Sequence, residues 1–164
     1  MKLREYPQCK LDPKVLSYWK LKEKISLAVW LLISLAIALA LAYFFSLKIA
    51  LIVGLALAFI GIVNVMLEIL LLIKLRYDYT AYQLNEADVD YCSGAIFRSR
   101  KLIPLIRVQN TMTETGPLLR KFGLANLEIE TAAGSISIEG LDKEEAEIMR
   151  ERISALARLA QEDV

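Results

Sequence analysis

The stretch ISLAVWLLISLAIALALAYFFSLKIALIVGLALAFIGIVNVMLEILLLI, residues 25–73, decides the fold of this 164-residue chain. Its 49 residues carry two charged side chains, Lys48 and Glu68. A helix rises about 1.5 Å per residue, so the run would extend roughly 73 Å against a hydrocarbon core of about 30 Å, which fits two crossings better than one. Ser46-Leu47-Lys48 interrupts it and leaves a first span at residues 25–45 and a second at 49–73, joined as a tight helical hairpin. A core hairpin of a soluble domain needs a polar face, and neither segment has one. A cleaved signal peptide fits poorly: the run starts only at Ile25, is too long, and is followed at once by a second.

The flanks are charged unevenly. Residues 1–24 hold seven Lys or Arg against three acids, and residues 74–164 hold twelve against fifteen, so the tail is mildly acidic. Lys14, Lys20, Lys22 and Lys24 precede the first span, Lys74 and Arg76 follow the second, and Lys48 alone lies between them. Lys and Arg near spans stay on the cytoplasmic side, which predicts a multi-pass protein of the plasma membrane with both termini in the cytoplasm. Cys9 and Cys92 then occupy a reducing compartment, at a separation that suits neither a CxxC pair nor a zinc site. The chain contains no histidine, which removes the commonest general base and metal ligand.

Asp12-Pro13 reads as a helix start, with Val15, Leu16 and Trp19 on one face of a short interfacial helix at the lipid headgroups and Tyr18, Tyr77 and Tyr79 at the inner boundary. Lys20, Lys22 and Lys24 are candidate contacts to anionic lipid as well as topological anchors. Small residues recur four apart, Ser34, Ala38 and Ala42 in one span and Ala50, Gly54 and Ala58 in the other, with Gly61 beyond, which predicts that the hairpin packs on itself. Asn64 and Glu68 share a face of the second span and are the candidate intramembrane polar pair. Glu68 is six residues before Lys74, near enough to the charged end to be satisfied structurally.

The tail, residues 76–164, changes to extended patterning. Tyr79–Leu84, Asp88–Cys92, Ala95–Ile103, Arg107–Thr115, Leu124–Thr131 and Ile136–Glu139 are strand candidates separated by turn residues, which predicts an antiparallel sheet or partly open barrel. Gly116 and Gly123 bracket a corner that tucks in Leu118, Leu119 and Phe122 and leaves Arg120 and Lys121 in water. Asp142 with Glu145 three residues on reads as a capping box, opening an amphipathic C-terminal helix with Ala146, Met149, Ile153, Leu156, Ala157 and Ala160 on its apolar face. The fold class is α+β.

The runs Ile103-Pro104-Leu105-Ile106-Arg107-Val108-Gln109-Asn110, Gly116-Pro117-Leu118-Leu119-Arg120-Lys121-Phe122-Gly123-Leu124 and Ile129-Glu130-Thr131-Ala132-Ala133-Gly134, with Gly140-Leu141 before the helix, resemble the bacterial pleckstrin-homology-like (YdbS-like) membrane proteins. The resemblance covers about residues 13–160. It implies a PH-like fold of antiparallel strands with a C-terminal helix, held beneath a two-helix transmembrane hairpin.

No catalytic, cofactor or metal-binding residues emerge: there is no G-x-S-x-G, no Walker A loop and no ligand spacing. The chain reads as a non-enzymatic module with no cofactor and no nucleic-acid partner. The favoured function is a membrane-tethered adaptor or assembly module that binds a protein partner, or further copies of itself, through an exposed strand edge. One alternative makes Arg98, Arg100, Lys101 and Arg107 a headgroup-binding patch, although the tail's net acidity opposes strong steering and alternation sends Lys101 to the face opposite Arg98 and Arg100. A further alternative makes Asn64 and Glu68 part of an oligomeric transport or export accessory.

Overall fold

The computed structural model describes residues 6–44 and 46–162, with nothing to state of the side chains of residues 161–162. The chain divides into two compact units, residues 19–74 and residues 1–18 with 75–164.

The first unit is the hairpin. Helix α1, Lys14–Phe44, starts where the sequence placed it: the Asp12 carboxylate accepts the Lys14 amide hydrogen at 2.7 Å. Ser46 caps the second helix, α2 (Leu47–Leu67), accepting from the Ile49 amide at 3.4 Å, so the polar break is a helix start as well as a turn. A π-helical turn, Glu68–Leu72, leads into α3, Ile73–Tyr79. The small-residue rows face each other: a Cβ added at Gly54 would stand 2.8 Å from the Ala38 Cβ, and Ser34 and Ala50 are buried. Among the described residues, two side-chain hydrogen bonds join the helices, Ser34 Oγ donating to the Gly54 carbonyl (3.0 Å) and Trp30 Nε1 donating to the Leu57 carbonyl (2.9 Å). The second depends on Gly61, whose missing side chain leaves the space that the Trp30 indole fills. Dispersion over this close approach and two polar links hold a hairpin whose outer faces are exposed Leu, Ile and Val.

The second unit is built on seven strands. β1 (Cys9–Lys10), β2 (Ala81–Leu84), β3 (Asp88–Ser93) and β4 (Ser99–Pro104) form one antiparallel sheet in that order, and β5 (Val108–Glu114), β6 (Leu124–Thr131) and β7 (Gly134–Asp142) form another. The two sheets do not close into a barrel. A 3-10 turn, Leu105–Arg107, carries the chain between them. Inward residues alternate as the period-2 pattern required, with Leu127, Ile129 and Ile138 fully buried. Helix α5, Lys143–Glu162, closes this core with Ala146, Met149, Ile153 and Ala157.

Four local readings change. The corner at Gly116–Gly123 is a short helix, α4 (Pro117–Phe122), with Pro117 in its first turn and Gly123 ending it at φ +68°, a left-handed conformation that glycine adopts without strain. Ala95–Phe97, expected within a strand, lies instead in the connection before β4. Glu145 does not reach back to complete a capping box. Asp142 caps the helix through the Glu144 amide (3.0 Å), and Glu145 accepts a hydrogen bond from the Tyr82 hydroxyl (2.5 Å). Finally, the N-terminal segment joins the domain: Cys9 and Lys10 pair with Tyr82 and Ala81, and Val15 is wholly buried where Gly140 (φ +76°) leaves room for it. Protein, and not the lipid headgroups, covers this residue's apolar side chain. Tyr18, expected at the inner boundary, meets Phe122 edge-on at 6.4 Å between ring centroids.

Candidate interaction surface

An open sheet presents unpaired backbone, and its strand edges differ in how readily they accept another strand. Among the described residues, β1 has two residues, too few for a platform. β5 departs from its register with β6 between Val108 and Asn110, and the β6–β7 pairing shifts between Ala125 and Leu127. Such irregularities bend a strand and interrupt pairing. β4 is different. Its six residues pair with β3 without a break, from Asp88↔Pro104 to Ser93↔Ser99, and Ser99, Arg100, Lys101 and Leu102 are all exposed.

The same hairpin concentrates charge. Arg100 meets Asp90 through Nε at 3.0 Å and Nη2 at 2.6 Å, and the Asp90 carboxylate is only 3% exposed. This two-point clamp fixes the face of β4 that carries Arg100. Arg98 lies over the Tyr79 ring, 3.5 Å from its centroid, and the Tyr6 hydroxyl donates to the Tyr79 carbonyl at 2.7 Å. Burial raises the Cys92 thiol above its ordinary range and does the same, more weakly opposed by the two arginines, for the Tyr6 phenol. The β3–β4 end is therefore cationic at its surface, with its neighbouring acids neutral or clamped.

Of the sequence candidates, Arg98 and Arg100 come together here, whereas Arg107 sits in the 3-10 turn past the far end of β4. The three do not form one patch, because Pro104 redirects the chain before Arg107. Lys20, Lys22 and Lys24 are exposed on α1. Asn64 is exposed on α2, and half-buried Glu68 begins the π-helical turn, its amide shared by the Asn64 and Val65 carbonyls. The sequence reading missed the bare connection Ala95-Ile96-Phe97, whose apolar composition looked like strand; Ser93-Gly94 was the available turn signal.

A four-plus-three arrangement of antiparallel strands closed by a C-terminal helix, following a hairpin of two apolar helices, is the architecture that the resemblance implied. The family model described as bacterial PH domain matches residues 25–157, from the first span into α5. The chain belongs to the bacterial PH domain family. This bacterial PH domain protein is 37% identical over 162 residues to the UPF0699 transmembrane protein YdbS of Bacillus subtilis (strain 168), covering 99% of this chain and 100% of that protein. No solved structure matches it. It is a membrane protein, with two helices, Lys14–Phe44 and Leu47–Tyr79, long and apolar enough to cross a bilayer.

Proposed function

We propose that this bacterial PH domain is a non-enzymatic assembly module, anchored by its two spans in the plasma membrane with both termini in the cytoplasm, that binds an extended segment of a partner protein along β4, the last strand of its sheet among the described residues. The carrying observation is that β4 combines an uninterrupted register with four consecutive exposed residues at a sheet edge. Added strands gain main-chain hydrogen bonds from such an edge, and side-chain pockets and charges give selectivity. Arg100 and Lys101, both exposed on β4, favour a segment that carries carboxylates. The orientation rests on the lysines and arginines flanking the spans, and the absence of histidine from the chain supports a binding role over a catalytic one.

The test places a photoreactive residue at Leu102, half exposed on β4, and irradiates the full-length protein in native membranes. The reading predicts adducts on one short segment of one protein, diminished several-fold by Lys101→Glu. A yield no higher than from the same residue at Ala133, in the exposed β6–β7 turn, would overturn it.

A further inference from the structure

The connection between β3 and β4 carries two large, strongly exposed apolar side chains: Ile96 is 69% exposed and Phe97 90% exposed. A solvated loop tip ordinarily bears small or polar residues, so adjacent isoleucine and phenylalanine at the apex call for a partner. The backbone beneath them is fixed. Gly94 adopts φ +130°, and a Cβ on it would strike the Phe97 carbonyl oxygen, so the tip is held by a turn that only glycine closes. Within the loop segment charge has one sign: residues 93–101 contain Arg98, Arg100 and Lys101 and no carboxylate, and of these Arg100 is held by Asp90. Arg98 lies over Tyr79, which follows Lys74, the residue ending the second apolar run, by five positions. Even fully extended, five residues reach at most about 18 Å, so covalent tethering alone keeps Tyr79 close to a bilayer surface.

We infer that the β3–β4 tip is a membrane-contact loop: Ile96 and Phe97 enter the headgroup and upper acyl region of the leaflet that anchors the chain, while the adjacent Arg98 sits at the level of the anionic headgroups. Apolar side chains framed by cations, presented on a tight turn next to the point where the chain leaves the bilayer, match a lipid surface in both hydrophobicity and charge. The loop sets how the domain leans on the membrane, a property separate from partner binding along β4.

Full-length protein is reconstituted at one copy per nanodisc, which leaves no second copy and no partner protein to cover the loop. In a Cys9→Ser background, where the remaining thiol Cys92 is buried, Phe97→Cys and Ala133→Cys variants each carry an environment-sensitive fluorophore. Both substituted positions are exposed, so the fold is retained, and near-UV circular dichroism checks that it is. The expected result is quenching at position 97 by lipids bearing an acyl-chain nitroxide, several-fold stronger than at position 133, and greater in phosphatidylcholine mixed with phosphatidylglycerol than in phosphatidylcholine alone. Equal quenching at the two positions, or quenching at 97 indifferent to phosphatidylglycerol, overturns the proposal.

Discussion

Asp90 shows how one residue fixes the geometry of the candidate surface. Its carboxylate is almost wholly buried, and Arg100 spans it from the neighbouring strand. Removing the cation from such a pair costs more than the pair contributes, because the buried carboxylate gives up a charge-assisted contact that water does not replace. Arg100→Ala is predicted to lower the denaturation midpoint of the domain, read by chemical denaturation in detergent, and Asp90→Asn combined with Arg100→Gln to recover part of that loss. Tyr82 makes a second prediction. Burial, and then its hydrogen bond to Glu145, push its phenol above the ordinary value near 10, so the folded state retains a proton that the unfolded chain releases in alkali. The stability this contributes is complete below about pH 10 and falls above it, by up to about 1.4 kcal/mol per pH unit for this one group. Tyr91, Tyr18 and Tyr6 shift the same way, so a denaturation series above pH 10 should fall steeply in the parent and less steeply in Tyr82→Phe. These partnerships were not legible in the sequence. Glu145 stands at the spacing of a capping box, and nothing local shows that a tyrosine 63 positions earlier takes its carboxylate instead.

Among the elements, the transmembrane hairpin was the most readable, because apolar length and four-residue spacing of small side chains are local properties of the chain. What spacing alone did not show is Trp30. Its indole occupies the gap at Gly61 and ties the helices through the Leu57 carbonyl. Gly61→Ala is therefore predicted to lower hairpin stability by about 1–3 kcal/mol through overpacking, measured as a fall in thermal midpoint in detergent. Trp30→Ala should abolish that difference by emptying the space. The strands of the tail were placed to within a few residues where alternation and turn chemistry agreed, as in Leu124–Thr131, observed over the same residues. They were misjudged where composition and geometry part. Ala95–Phe97 is apolar enough for a strand yet forms a loop, and Cys9–Lys10 is too short to show periodicity, so its pairing with Tyr82 and Ala81 is visible only in three dimensions.

For the whole molecule, transfer of about fifty apolar residues into lipid dominates every other term, and it tethers the folded tail covalently to a membrane anchor. The sequence carried the membrane assignment and the PH-like class because both follow from patterns along the chain. It did not carry which strand ends its sheet, because a strand's place at an edge is a property of sheet order. The central claim is that the two spans form a hairpin holding the domain on the cytoplasmic side. The most direct test labels an Ala133→Cys variant, in a Cys9→Ser background, with a membrane-impermeant maleimide in intact cells and again after permeabilisation. Protection in intact cells with full labelling after permeabilisation is the predicted result; labelling of position 133 from outside intact cells would contradict it.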